Sequence, residues 1–415
     1  MHETLTLPNG VRIVFEHMPS LRSASFGIFV GVGSRNEPSS DGGSAHFIEH
    51  MLFKSTKHHS AQELSCIMDG IGGQINAYTT REQTCFYAKV LDTHLGTAID
   101  LLCEMFFDCA FDEEEVKSER GVIFEEIGMY EDTPDDACYE RLMSACYRGA
   151  LGRPVLGKTK HLNAMTGASL RQFKDSHYTA GNIVLSLCGS FGEAHILQLS
   201  ERFSLLKKTK AANPRRAVYT PHTAIKRRRT EQNQLCLGFP SICVTDERRF
   251  AMNLFSTLLG GGVSSRLFQN IREKHGLCYS IYCFQSVFSD CGMFSVAAGV
   301  NRETELKTIG LICDELRSLI DDGVTQAELD RAREQAKSSL VMGLESSSSR
   351  MLKLGNAMQA HNKCVGTDEL LECYDAVTKE EIHSLAQEIF HRDQLSISVL
   401  GKAKDESDYL NAIIL

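Results

Sequence analysis

Three residues on one short segment could do chemistry together: His46, Glu49 and His50, which form an H-x-x-E-H pattern. The surrounding sequence predicts a helix over residues 44–53. On a helix, the two histidines lie on one face because they are four residues apart, and Glu49 lies beside them. Two imidazoles one turn apart suit Zn²⁺, and a neighbouring carboxylate suits proton transfer from a water that the metal acidifies. The alternative for the pentapeptide alone is a surface helix with two unpaired histidines.

A catalytic zinc site needs a third protein ligand, and the acidic helix predicted over residues 112–131 offers candidates. Its apolar residues form one stripe at helical spacing, made of Val116, Ile123, Ile127 and Tyr130. Glu119 and Glu126 fall within this stripe, whereas Glu125 falls on the other side. A carboxylate on a buried stripe is costly unless it is paired or bound to a metal. We therefore predict Glu126 as a ligand and Glu119 as an auxiliary carboxylate.

The elements that must position these residues occur twice along the chain. In the first half, strands and helices are predicted at 11–15, 25–30, 44–53, 72–80, 84–90, 92–107, 112–131 and 183–189. Thr166 precedes a helix and Gly189 ends the strand that follows it, and both recur 212 residues later, as Thr378 and Gly401. A constant offset indicates a duplicated domain. Coincidence of two unrelated α+β domains is the alternative.

A basic segment separates the two halves. Residues 207–230 contain two prolines and the run from Lys226 to Arg229, which is typical of an exposed linker. A basic run can bind nucleic acid, but no aromatic residues are interleaved with this one, so a solvated linker is the preferred interpretation. The sequence thus predicts domains at 1–206 and 231–415.

Composition narrows the class of protein. The chain has 415 residues, a net charge of −9 and 42% apolar residues, which is ordinary for a globular protein and gives no reason to expect a nucleic-acid partner. No apolar run is long enough to span a bilayer, and the N-terminus lacks the pattern of a signal peptide. We expect a cytosolic protein without a membrane partner, whose 15 cysteines are reduced and mostly buried.

At the H-x-x-E-H segment the sequence resembles the M16 metallopeptidases, which carry this inverted form of the H-E-x-x-H motif. In that family a glutamate ligand follows the motif by about 76 residues, and Glu126 follows His50 by 76. The segment 119–126 is also similar, and it places Glu119 where the family has a second glutamate that supports catalysis. The resemblance extends from the first strand to Gly401.

The resemblance implies roles for further residues. Asn76 and Ala77 lie in a stretch similar to the family's substrate-binding edge strand, which pairs with an extended peptide. Arg272 and Tyr279 match residues that contact the substrate from the opposite domain. For Arg272 the residues alone favour a surface ion pair. Only the first half is expected to bind metal, since Ser339 stands at the position equivalent to Glu126 and the second half has no H-x-x-E-H.

The resemblance also implies the fold and the activity. Each domain would be an antiparallel sheet with packed helices, and the two domains would enclose a chamber. One Zn²⁺ per chain would be held by His46, His50 and Glu126, while Glu49 would act as general base in the hydrolysis of peptides or unfolded proteins. A two-domain length implies a processing-peptidase-like form that pairs as a homodimer or with a second M16-like chain.

Two other functions stay open at this point. Some relatives that have lost zinc residues act as structural or substrate-holding partners, which would make this chain an inactive scaffold subunit. A zinc hydrolase acting on a small molecule is the other alternative. Zinc bound to the purified protein would argue against the scaffold, and cleavage of unstructured peptides would argue against the small-molecule hydrolase.

Overall fold

The computed structural model describes residues 2–209 and 216–415, which form two sheets covered by helices, an α+β fold as predicted. The strands are β1 His2–Thr6, β2 Arg12–His17, β3 Ser23–Val30, β4 Gln74–Thr79, β5 Thr84–Leu91, β6 Ile183–Gly189, β7 Thr223–Arg227, β8 Asn233–Ser241, β9 Cys278–Val287, β10 Gly292–Val300 and β11 Ser396–Gly401. The helices of the first half are α1 Ser44–Met51, α2 Ala61–Gly70, α3 Leu95–Asp108, α4 Glu113–Glu131, α5 Pro134–Cys146, α6 Thr159–Leu162, α7 Gly167–His177 and α8 Glu193–Ser204. Those of the second half are α9 Arg249–Gly260, α10 Glu305–Asp321, α11 Gln326–Gly343, α12 Ser347–His361, α13 Thr367–Asp375, α14 Lys379–Ile389 and α15 Glu406–Ala412. A π-helical turn covers Phe268–Lys274.

The first sheet has the strand order β1-β2-β6-β3-β5-β4. Its strands pair antiparallel except for β2 and β6, which are parallel. The main core lies on the face covered by α1, α3 and α7, where Phe26, Ile28 and Phe86 are buried against apolar side chains of the helices. Strand β4 is an edge strand, as predicted for the peptide-binding segment, and within residues 2–209 and 216–415 no strand pairs with its outer side.

The second sheet repeats this design. Its order is β7-β11-β8-β10-β9, with a parallel pair between β7 and β11 and antiparallel pairs elsewhere. Five strands of each sheet therefore have the same order and the same directions. Strand β6 corresponds to β11, in line with the 212-residue offset, and the edge strand β4 corresponds to β9. This common topology supports the predicted duplication.

Each compact unit of the structure takes one helix from the other half of the chain. One unit comprises the described residues of 1–127, 153–215 and 343–366, and the other those of 128–152, 216–342 and 367–415. In the first unit, Met351, Leu354 and Met358 of α12 pack on the second face of the sheet, against Phe29 and Val184.

Helix α5 does the equivalent in the second unit, where Leu142 and Met143 pack against Cys236 and Leu400. The exchanged helices α5 and α12 occupy equivalent places in the two halves. The division at 206 and 231 stays a prediction about the sequence, because it does not describe this interleaving.

Several elements were not expected from the sequence. Strands β1 and β7 are among them, and β7 lies within the segment interpreted as a linker, where it includes Lys226 and Arg227. The part of that segment at 210–215 lies outside the described residues. All 15 cysteines are free and ten of them are buried, as predicted. Among the described residues, no helix combines the length and the apolarity needed to cross a membrane.

Candidate metal centre

Helix α1 is anchored by its apolar residues. Phe47, Ile48 and Met51 are fully buried in the main core. His46, Glu49 and His50 occupy other positions of the same helix. Burial of the three apolar side chains fixes the rotation of the helix about its axis. The orientation of His46, Glu49 and His50 therefore follows from the packing of the apolar residues between and beside them.

A buried carboxylate holds the N-terminus of α1. The side chain of Glu37 accepts hydrogen bonds from the backbone N–H groups of Gly43 and Ala45, each at 2.8 Å. Gly43 has a φ of 104°, and a Cβ there would meet the Cα of Gly157 at 3.0 Å. Burial raises the pKa of Glu37 to about 8, against the opposing effect of the two backbone donors. This arrangement ties the helix to its preceding loop one residue before His46.

His46, His50 and Glu126 form a compact triangle of donor atoms. The two Nε2 atoms lie 3.3 Å apart. Oε2 of Glu126 lies 3.5 Å from Nε2 of His46 and 3.4 Å from Nε2 of His50. These three side chains are the one group of three or more possible ligands that the described residues bring together.

The triangle has the dimensions that Zn²⁺ requires. Tetrahedral coordination with metal–ligand distances of about 2.0–2.1 Å places ligand atoms about 3.3–3.4 Å apart. Among the described residues the buried Oε2 of Glu126 forms no hydrogen bond, although two ring nitrogens lie 3.5 Å and 3.4 Å from it. A buried acceptor of this kind is costly unless a metal or a donor satisfies it. The nitrogen and oxygen donors therefore fit zinc.

Glu119 supports His50 from behind. One oxygen of Glu119 lies 2.8 Å from Nδ1 of His50, and the other lies 2.5 Å from Nζ of Lys54. A carboxylate on the far nitrogen of a ligating histidine fixes the ring orientation and its tautomer. Burial opposes the charge of Glu119, but the hydrogen bonds with His50 and Lys54 prevail and lower its pKa. Glu119 is buried and Glu125 is exposed, as the apolar stripe predicted.

The two histidines have different acidities. Burial lowers the pKa of His46 to about 4. Burial also acts to lower the pKa of His50, but the carboxylates of Glu119 and Glu126 outweigh it and raise that pKa to about 9. Without metal at neutral pH, His46 is thus neutral and His50 carries a proton.

Glu49 lies between the metal-binding residues and the edge strand. Its Oε2 accepts a hydrogen bond of 2.5 Å from the hydroxyl of Thr79, the last residue of β4. Burial raises the pKa of Glu49, an effect that the Thr79 bond reduces. A raised pKa brings a carboxylate closer to the range in which it exchanges protons at neutral pH.

Asn76 and Ala77 both lie in β4, on opposite faces of the strand. The side chain of Asn76 is exposed, while Ala77 is half-buried and packs with Ile75 against the main core. Because strand side chains alternate, Thr79 lies on the same face as Ala77. The predicted peptide-binding strand thus leads directly to the carboxylate of Glu49.

Arg272 and Tyr279 meet within the second unit. The guanidinium carbon of Arg272 lies 5.0 Å from the centre of the Tyr279 ring and 4.5 Å from that of Phe268, which indicates cation–π stacking. Tyr279 is 77% exposed at the start of edge strand β9. The surface ion pair of Arg272 is weak, since its nearest carboxylate oxygen, on Glu273, is 3.8 Å away.

Sequence reasoning missed Thr79, Lys54 and Glu37. Thr79 lies within the strand predicted at 72–80, where its residue type suggests no role, and only its contact with Glu49 of α1 distinguishes it. Lys54 follows the motif by four residues, but its partner Glu119 is distant in sequence. Glu37 lies nine residues before His46 and would have required knowledge of the loop path.

Two family models match the chain. Residues 12–159 match the model described as insulinase, peptidase family M16, and residues 164–336 match the model described as the peptidase M16 inactive domain. Similar proteins include an uncharacterized zinc protease of Bacillus subtilis, YmxG, which is 40% identical over 95% of this chain and 97% of its own length. An uncharacterized zinc protease of Streptomyces coelicolor is 41% identical over 97% of this chain and 90% of its own length.

Solved structures share the fold. A peptidase M16 inactive domain from Pseudomonas fluorescens superimposes with a TM-score of 0.90 at 20% identity, over 97% of this chain and 98% of its own. A protease from Helicobacter pylori gives a TM-score of 0.88 at 24% identity, over 97% and 99% of the two chains. The fold likeness thus extends over both halves of the chain.

Proposed function

The chain belongs to peptidase family M16, and from that premise we propose that it is a zinc-dependent endopeptidase that hydrolyses peptide bonds in short or unfolded polypeptides. The observation that carries the proposal is the triangle of His46, His50 and Glu126, with Glu49 on the same helix as both histidines. The names of the relatives, which are called zinc proteases, support the choice of metal and of reaction class.

We propose that His46, His50 and Glu126 hold one Zn²⁺. Zinc bound there would polarise the substrate carbonyl and make water more acidic. Glu119 keeps the ring of His50 in place and, with Lys54, balances the charge behind it. Loss of any of the three ligands would remove the metal, whereas loss of Glu119 would weaken its binding.

Glu49 is proposed to move the proton. Its carboxylate takes a proton from the attacking water and then passes it to the nitrogen of the leaving amine. Burial raises the pKa of Glu49 and thereby strengthens it as a base. The exposed outer edge of β4 offers backbone N–H and C=O groups to an extended peptide. Because Thr79 contacts Glu49, the Thr79 end of β4 is the end nearest the base.

Substrate contacts by Arg272 and Tyr279 form a second part of the proposal. The stacked pair offers a cation and an exposed aromatic ring, which suit the carbonyl groups and side chains of a peptide. The chamber implied by the family remains part of this proposal. So does a homodimer, favoured because a single chain carries both the metal-binding residues and the Arg272–Tyr279 pair.

Product analysis tests the proposal. The purified protein, loaded with one equivalent of zinc, is incubated with a library of unstructured peptides, and new termini are identified by mass spectrometry. We expect internal cleavages that cease after chelation and return when zinc is restored. Zinc-loaded protein that cleaves no peptide would contradict the endopeptidase, and protein that binds no zinc would favour an inactive scaffold. Light scattering of the same sample tests the dimer.

A further inference from the structure

The hydroxyl of Thr79 is the one hydrogen-bond donor that holds the carboxylate of Glu49. It lies 2.5 Å from Oε2, and within residues 2–209 and 216–415 Glu49 has no other hydrogen-bond partner. Thr79 comes from a different element than Glu49, since it ends strand β4 while Glu49 lies on α1. The orientation of the proposed base therefore depends on a residue outside the metal motif.

The surroundings of Thr79 direct its single proton to Glu49. The hydroxyl of Thr84, which faces Thr79 across the β4–β5 hairpin, donates to the carbonyl of Val32 at 2.9 Å. Thr84 is 3.4 Å from the Thr79 oxygen and thus offers only a distant alternative acceptor. A charged acceptor at the shorter distance is favoured over a neutral one at the longer distance.

The register of the hairpin fixes Thr79 itself. Thr79 pairs with Thr84, and Ala77 pairs with Phe86, which is buried in the main core. A threonine is stiff about χ1 because it is branched at Cβ. The hydroxyl is thus held by the sheet, and it holds one oxygen of Glu49. Within the described part of the chain the other oxygen has no hydrogen-bond partner, which leaves it available for proton transfer.

We infer that Thr79 is a positioning residue, which fixes the Glu49 carboxylate through Oε2 so that Oε1 accepts the proton of the attacking water. The inference rests on the proposed function. It also gives strand β4 two roles. The edge of the strand would pair with the peptide, and Thr79 at its end would fix the carboxylate that acts on that peptide.

Two substitutions separate the hydroxyl from the shape of the side chain. Thr79→Val keeps the branched shape and removes the donor, whereas Thr79→Ser keeps the donor. Thr4→Val, at an exposed position of edge strand β1, is the matched control. For each zinc-loaded variant, kcat and KM are measured on one unstructured peptide, and the zinc dissociation constant is measured by competition with a chelator.

Thr79→Val loses a hydrogen bond to a charged group, and we therefore expect its kcat to fall about 10- to 100-fold. KM and the zinc dissociation constant should stay within about twofold, since neither the ligands nor the edge of β4 is altered. Thr79→Ser and Thr4→Val should retain kcat within about threefold of the parent. An unchanged kcat in Thr79→Val, an equal loss in Thr79→Ser, or zinc affinity that falls in parallel with kcat would each overturn the inference.

Crystal structures supply a readout that does not depend on activity. In zinc-loaded parent protein, Oε2 of Glu49 should lie within hydrogen-bond distance of Thr79, and in Thr79→Val the carboxylate should leave that position. A Glu49 carboxylate that is unmoved in Thr79→Val would overturn the inference even if the protein cleaved no peptide. Absence of activity in the parent would instead contradict the proposed function.

Discussion

The Nε2 atoms of His46 and His50 lie 3.3 Å apart, and Oε2 of Glu126 lies 3.5 Å from the first and 3.4 Å from the second. Two ring nitrogens so close together repel each other when both rings are protonated, and the charge of His50 acts with burial to lower the pKa of His46. A shared metal ion resolves the conflict by serving all three donors.

Replacement of the carboxylate ligand should remove zinc. Glu126→Gln is expected to weaken zinc binding by more than about 100-fold, beyond the loss typical of an outer residue. Glu125→Gln is the matched control, since Glu125 is exposed on the same helix. Chelator competition measures both dissociation constants. Equal zinc affinity in the two variants would remove Glu126 from the ligand set.

Replacement of the supporting carboxylate should have a smaller effect. Glu119→Gln loses the charge that faces Nδ1 of His50 and Nζ of Lys54. We expect zinc binding about 10- to 100-fold weaker than in the parent, with activity that returns in part at high zinc concentration. If zinc affinity falls as far as in Glu126→Gln, Glu119 is a ligand rather than a support.

Zinc binding should depend on pH through His50. Because the pKa of His50 is raised to about 9 and that of His46 is lowered to about 4, binding at pH 7 displaces about one proton. The zinc dissociation constant should therefore fall about tenfold per unit between pH 6 and 8. Calorimetry in buffers of different ionisation enthalpy counts the protons released. A release near zero would show that His50 is already neutral.

Arg272 and Tyr279, the stacked pair of the second unit, should affect peptide cleavage without changing zinc affinity. Tyr279 is 77% exposed, so Tyr279→Ala should change the free energy of unfolding by no more than about 0.5 kcal/mol. Arg272→Ala and Tyr279→Ala should both lower kcat/KM for an unstructured peptide while zinc affinity stays as in the parent. Unchanged kcat/KM in both variants would withdraw their proposed role in substrate binding.

The sequence predicted the parts of the site that are local or periodic. His46, Glu49 and His50 follow from helical spacing, and Glu126 was distinguished from Glu125 because only one of them shares the face of Val116 and Ile123. Strand β4 was identified from its residues and from the family resemblance, although its position at an edge required the sheet.

Contacts between distant elements could not be predicted in the same way. The Thr79–Glu49 bond joins a strand to a helix that is 30 residues away, and no periodicity reports such a pairing. The exchange of α5 and α12 between the units was also missed. Each of these helices packs on the sheet of the other half, and no local pattern reports which of two sheets an apolar helix face will cover.

The central claim is that Glu49 acts on peptides at a zinc site, and one comparison tests it most directly. Parent protein and Glu49→Gln are loaded with one equivalent of zinc, confirmed by metal analysis, and assayed on the same unstructured peptides. Removal of the proton acceptor should reduce kcat by at least about 100-fold while zinc remains bound, because Glu49 is not one of the three ligands. A zinc-loaded Glu49→Gln variant that cleaves peptides as fast as the parent would contradict the account.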